Sequence, residues 1–347
     1  MLRRREVLKA IGIGGALAAG APPLGRAADL DEVKIGSPLV LSDSPFFIGD
    51  DKGYFREHNI RITLINMQTG PHMIAPLGTG QIDIAAGAIS AGLFNAEARG
   101  IGLKIVADKG SNLPGYAFVS FLVRKQLVDS GKFKTLRDLK GLRCAEPGKG
   151  GATGSTINEG LKSVGLAYDD VAHVYLPFPE MVTGLEKGAI DAAMLPEPFN
   201  TFAREKGFGV RFPSDAFYPH QSIAVLLYGN QFIEKRADVA HRFMLGYLQA
   251  VRFYNGAIKD GHFAGPNARE VIDILVRTTR YKDPALYQKV VPNGCNPDGA
   301  VYRPSIETDL AFWHQQKFVA GNTTVAEVID DSFVAAALKT LGPYRAA

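Results

Sequence analysis

Apolar and polar positions change rhythm regularly along this chain. Short β-type apolar runs fall at 33–36, 60–66, 82–86 and 104–107, and between them the spacing turns helical near 45–58, 72–79 and 91–100. Apolar runs alternating with amphipathic stretches predict an α/β fold, a mixed sheet covered by helices. A second series of the same kind follows, with strand-like runs at 117–123, 142–145, 171–176 and 190–195 and helical patterns near 155–164, 179–187 and 199–206. From residue 232 onward the pattern is mostly helical, with long apolar-periodic stretches at 237–258 and 325–341.

One stretch occurs in two versions. Gly80-Gln81-Ile82-Asp83-Ile84-Ala85-Ala86 and Gly188-Ala189-Ile190-Asp191-Ala192-Ala193-Met194 each follow a helical pattern containing a leucine, Leu77 or Leu185. Glycine suits the left-handed residue that ends a helix, aspartate bonds nearby backbone at a turn, and the apolar residues then enter a buried strand. Asp83 and Asp191 are therefore expected to be structural, and the repetition predicts two lobes built alike.

Composition supports two such cores, since the chain has 347 residues and 46% apolar content. The formal charge of +4 would point to an acidic partner if it were spread over the surface. Five of the 39 basic residues and one of the 35 acidic ones lie in residues 1–27, so the remainder is balanced at 34 of each. A nucleic-acid partner is not expected of so neutral a chain. Residues 1–27 have a basic start, an Ala/Gly-rich apolar stretch at 7–24 and the small-residue site Gly25-Arg26-Ala27, the grammar of a cleaved export signal. Within it, Arg4-Arg5-Glu6-Val7-Leu8-Lys9 resembles a twin-arginine signal. The expected location is the periplasm, because after residue 27 no apolar run approaches the ~20 residues of a membrane span.

Cysteines and histidines narrow the chemistry. Cys144 falls in an apolar strand and Cys295 in the turn-rich Pro292-Asn293-Gly294-Cys295-Asn296-Pro297, so no disulfide between them is expected and neither is placed as a nucleophile. The seven histidines show no paired metal spacing. No metal, no cofactor and no catalytic residue is expected.

Several motifs, taken in order, resemble the nitrate/sulfonate/taurine-type family of periplasmic substrate-binding proteins, which also includes binders of the thiamine pyrimidine precursor. They are the helix after the first strand, ending Asp51-Lys52-Gly53-Tyr54-Phe55; Gly80-Gln81-Ile82-Asp83; Leu136-Arg137-Asp138-Leu139-Lys140-Gly141; Gly154-Ser155; and Gly188-Ala189-Ile190-Asp191 followed by Pro196-Glu197-Pro198-Phe199. The resemblance implies a two-lobed, type II-like periplasmic binding protein whose lobes close by a hinge over a ligand in the cleft between them. On that basis lobe 1 is residues 28–113 with 222–347, lobe 2 is 114–221, and the crossings lie near 112–116 and 218–224. The chain departs from the family's pattern where Leu195-Pro196 precedes Glu197, a place where the family often carries tryptophan.

In open α/β sheets, ligands sit beyond the carboxyl ends of strands, where helix N-termini present unpaired N–H groups. Candidate ligand contacts on the first lobe are Ser42, Ser44, Phe46, His72 and Ser90, with capping as the other reading of Ser44 and Ser90. On the second lobe, Lys149, Thr153, Gly154 and Ser155 belong to a glycine-rich stretch whose backbone can approach a bound group. That stretch matches neither a phosphate-binding P-loop nor a dinucleotide fingerprint. Tyr116 and Phe178 are candidate walls, and Glu180 and Glu197 are carboxylates near the same strand ends. The function expected is that of the extracytoplasmic solute-binding component of an ABC importer, a monomer with an inner-membrane permease as partner. Its ligand is expected to be a small organic anion such as a sulfonate or aromatic carboxylate, with a pyrimidine or amine-bearing solute as the alternative. An enzyme on the same fold, of desulfinase or pyrimidine-precursor synthase type, is disfavoured for want of a placed cysteine.

Overall fold

A computed structural model describes residues 30–345 apart from 69. The expected export signal, residues 1–27, lies outside the described residues. Ten strands form two five-stranded sheets. The first sheet contains β1 (Asp31–Ser37), β2 (Ile60–Asn66), β3 (Ile84–Ala88), β4 (Lys104–Asn112) and, from much later in the chain, β10 (Gln221–Tyr228). The second contains β5 (Val119–Arg124), β6 (Arg143–Glu146), β7 (Ala172–Tyr175), β8 (Ala192–Pro196) and β9 (Gly209–Pro213).

Strand order runs β2-β1-β3-β10-β4 in one sheet and β7-β6-β8-β5-β9 in the other. In each, the first three strands are mutually parallel, and the fourth lies antiparallel to the third. The two lobes therefore share one topology, each a sheet covered by helices. The chain passes from the first sheet to the second between β4 and β5 and returns between β9 and β10.

The repeated stretch serves this shared plan. Gly80 and Gly188 adopt left-handed backbone, at φ 73° and 68°, as each chain leaves its helix. Asp83 then donates its backbone N–H to Lys34 O (2.9 Å) and accepts the Lys34 N–H on Oδ2 (2.8 Å), while Asp191 makes the same two bonds with Arg143 (2.9 and 3.1 Å). Each aspartate thereby fixes the register of its strand against the neighbour, β3 against β1 and β8 against β6, with Arg236 and Arg143 respectively binding the outer carboxylate oxygens. Their role is structural.

Boundaries differ from the sequence reading where long-range pairing decides them. The helix expected near 45–58 is two helices, Ser44–Asp51 and Tyr54–Glu57, parted at Gly53 with φ 80°. β4 extends to Asn112 because β10 pairs along its whole length. β10, all eight of whose residues are buried, is a central strand rather than only part of a crossing. One apolar core packs the long helix Ala237–Asn255 on the first sheet; another runs continuously from Leu93 and Phe94 of the first lobe to Ile157, Leu161 and Tyr168 of the second.

Candidate functional site

The carboxyl ends of the parallel strands in both sheets face one gap. Four helices start there: Ser44–Asp51 and Gly70–Gly78 in the first lobe, Ala152–Lys162 and Phe178–Lys187 in the second. The starts of Ser44–Asp51, Ala152–Lys162 and Phe178–Lys187 have no side-chain cap, although the Ser44 N–H donates to Leu41 O and the Ala152 N–H to Ile89 O.

The gap holds two adjoining chambers. An inner one of about 50 Å³ is lined by Ser42, Lys109, Phe118, Thr153, Phe178 and the backbone around Gly70 and Gly148–Gly151. An outer one of about 230 Å³ lies toward the β2 and β7 edges, among Leu39, Ser44, Phe178, Phe199, Arg280 and Tyr281. Pro38, Val40, Gln68 and Phe178 line both.

Lys109 is the charged residue lining the inner chamber. Its side chain is fully buried, with Nζ 2.7 Å from Asp43 Oδ1 and 3.0 Å from Ser42 Oγ. A buried ammonium requires such a partner. The other Asp43 oxygen accepts the Val40 N–H at 2.8 Å, so this carboxylate also shapes the loop after β1. In that loop Leu39 stands at φ 55°, a left-handed conformation unusual for leucine and found here in a residue lining the outer chamber.

The candidates from sequence divide into two groups. Ser42, Ser44, Thr153, Phe178 and Glu180 line the chambers. The other eight are placed elsewhere, for local reasons. Phe46 is buried in the first lobe's core, 5.7 Å from the Tyr247 ring. His72 is exposed on its helix and lines neither chamber. Ser90 is buried where the lobes touch, in a bridge with Gly151, and Tyr116 folds back within the first crossing, donating its N–H to Leu113 O at 2.7 Å. Lys149 lays its ammonium 5.0 Å above the Phe318 ring.

Gly154 faces away from the gap, since a Cβ there would come within 2.7 Å of Glu146 Oε2. Ser155 is buried beside Asp309, on the far side of its helix from the chambers. Glu197 is buried and turned inward, accepting from Thr201 N and Oγ1 at 3.0 and 2.9 Å, and burial raises its pKa. Neither expected cap forms: Ser44 Oγ donates to Leu41 O at 2.6 Å, and Ser90 makes no cap bond.

Sequence reasoning missed Lys109, Asp43, Gln68, Arg280 and Tyr281. For Lys109 no local marker existed, since Asp108 separates it from the apolar run 104–107. Cys144 and Cys295 are free, buried thiols, and burial raises the pKa of both, which keeps them protonated. Among the described residues no group of three or more His, Cys, Asp or Glu is arranged to hold a metal, and no helix is long and apolar enough to cross a membrane.

The two lobes touch around the gap. Ala91 N donates to Gly150 O (2.9 Å), Ala152 N to Ile89 O (2.8 Å) and Leu41 N to Glu197 O (2.9 Å). These three backbone bonds join the lobes beside the gap.

Solved structures share this fold. The fold matches that of the alkanesulfonate-binding protein from Xanthomonas axonopodis pv. citri bound to MOPS, with a TM-score of 0.69, 18% identity, 88% of this chain and 99% of that one. It also matches the periplasmic nitrate-binding protein from Synechocystis PCC 6803, with a TM-score of 0.72, 13% identity and 90% of each chain. In sequence, the chain is 27% identical over 190 residues to an Escherichia coli (strain K12) protein named as an aliphatic sulfonates-binding protein. That match covers 55% of this chain and about half of the curated relative, 56% of its length. The NMT1-like family matches residues 26–274, so this chain, with the periplasmic binding protein fold, belongs to the NMT1-like family.

Proposed function

We propose that this protein is the extracytoplasmic solute-binding component of an ABC importer and that it captures a small organic anion, such as a sulfonate or aromatic carboxylate. Residues 28–113 with 222–347 form one lobe and 114–221 the other, closing as a hinge over the solute. The supporting observation is that two helices without side-chain caps, Ala152–Lys162 and Phe178–Lys187, and from the other lobe the helix Gly70–Gly78 start at a chamber whose one charged lining residue, among those described, is Lys109. Helix N-termini favour negative charge, and the Lys109–Asp43 pair adds no net charge to oppose it. With buried, protonated thiols, the chain offers no activated cysteine for chemistry of its own. In this reading residues 1–27 are a cleaved twin-arginine signal, the mature protein is a periplasmic monomer, and its partner is an inner-membrane permease.

Native mass spectrometry of the protein isolated from its producing cells should show a bound solute that carries a sulfonate or carboxylate. Calorimetry with that solute should then show binding tighter than ~10 µM, that is at least about 7 kcal/mol. A co-purified cation, or no bound solute together with no binding across organic anions, would reject the anion assignment.

A further inference from the structure

The two chambers differ in size by more than a ligand's conformational freedom can absorb. A cavity of about 150 Å³ accepts a benzene ring, whereas one water molecule claims about 30 Å³ of liquid. The inner chamber, at about 50 Å³, therefore admits a group of a few atoms and no ring. The outer one, at about 230 Å³, has room for a ring with a substituent.

The outer walls suit a planar body. Phe178 and Phe199 of the second lobe stand 5.7 Å apart at 38°. Tyr281 approaches from the first lobe, 6.2 Å from Phe199 and at 90° to it. Between them, the Arg280 guanidinium lies 5.2 Å from the Phe199 ring and 5.1 Å from that of Tyr281, and Nη2 donates to the Tyr281 hydroxyl at 3.0 Å. Among the described residues Arg280 makes no ion pair, although it is exposed and carries a full charge. Its setting is aromatic on both sides, the environment in which guanidinium planes stack.

We propose that the outer chamber is a second subsite, taking a planar aromatic body joined to the small anionic group in the inner chamber, with Arg280 and Tyr281 closing over the ring. The preferred solutes are then aryl sulfonates or aryl carboxylates rather than their short alkyl counterparts. This rests on the solute-binding reading above and sharpens it. Phe178, which lines both chambers, marks the joint between the two parts of the solute.

The test uses four probes in calorimetry: benzenesulfonate, methanesulfonate, benzoate and acetate. Each aryl probe should bind about tenfold or more tightly than the alkyl probe with the same head group, the scale expected of new aromatic contacts. Tyr281→Ala and Arg280→Ala should each shrink that ratio by about threefold or more and leave the alkyl probes unchanged. Both residues are partly or fully exposed, so thermal melting should confirm that the variants stay folded. Equal binding of aryl and alkyl probes, an aryl preference that survives both variants, or no aryl binding at all would overturn the proposal. A short-chain anion found by native mass spectrometry would do the same while leaving the solute-binding reading intact.

Discussion

The cleft has two sides, and they are built from different materials. On the back, the helix Arg303–Gln315 wedges against both lobes: Trp313 is fully buried 5.7 Å from Phe94, and Phe312 meets the Tyr168 ring of the second lobe edge-on at 4.9 Å. A buried hydrogen-bonded chain runs there, with Tyr218 OH donating to Asp309 at 2.7 Å, Gln221 Nε2 to Asp309 at 3.3 Å and Thr156 Oγ1 to Gln221 at 2.7 Å, while Trp313 Nε1 is buried without a partner. On the front, the lobes meet through one backbone bond, Leu41 N to Glu197 O at 2.9 Å, through two long bonds, Thr201 Oγ1 to Lys289 O and Val291 N to Glu197 Oε1, both 3.4 Å, and through the exposed pair Lys289–Glu205. A continuous apolar core and a buried hydrogen-bonded network are costly to break, whereas long or solvated polar contacts are less so. The lobes should therefore pivot about the back and part at the front, where the outer chamber lies.

The largest expected effect tests the back. Trp313→Ala removes the largest fully buried side chain and leaves a cavity in the core that spans both lobes. Urea unfolding should show a loss of about 3–5 kcal/mol. If the loss were under ~1 kcal/mol, the back would not be the fixed side and the contrast would collapse.

Next in size is a pH dependence of the same region. Burial pushes the Asp309 carboxyl up to about 7, against the lowering pull of Ser155, Tyr218 and Gln221 and with a smaller raising push from Glu159. Burial also pushes Asp108 up to about 6. An unfolded aspartate loses its proton near pH 3.8, so between that value and 7 the folded chain binds more protons than the unfolded one. Stability then falls as pH rises across this window, by at most ~1.4 kcal/mol per pH unit for one group and on the order of 2–3 kcal/mol from pH 5 to 7. Asp309→Asn should flatten most of that slope and leave the smaller Asp108 contribution below pH 6. Denaturation midpoints at pH 5, 6 and 7 decide the point, and an unchanged slope would remove Asp309 as its source.

How far the sequence anticipates this contrast depends on the range of the interactions. The alternation of strands and helices and the Asp83/Asp191 repetition are local patterns, and the sheets carry them as expected. β10 escapes local reading because a fully buried apolar run has no period, and its place between β3 and β4 depends on partners more than 100 residues away. Within the glycine-rich stretch, Thr153 lines the inner chamber and Ser155 does not, because two residues along a helix turn a side chain by about 200°. That geometry was available once a helix start at Ala152 was known, three residues before the expected one. Lys109, Arg280 and Tyr281 reach the cleft only through tertiary packing, so no spacing rule marks them.

The smallest effect tests the front. Lys289 and Glu205 join the lobes, with side chains 52% and 42% exposed. Exposed ion pairs are worth about 0–1 kcal/mol and weaken with added salt. Lys289→Ala should therefore change the unfolding free energy of the ligand-free protein by less than ~1 kcal/mol. If the pair forms only when the lobes meet, its loss should still speed solute release, by at most about fivefold, because that much free energy is withdrawn from the closed form alone. Raising salt from about 0.05 to 0.5 M should speed release from the wild type toward that of the variant, since the Debye length falls from roughly 14 to 4 Å. Stopped-flow displacement of the bound solute measures both. A loss of stability above ~2 kcal/mol in Lys289→Ala, with no change in release, would mean that the front is as fixed as the back and that the lobes part somewhere else.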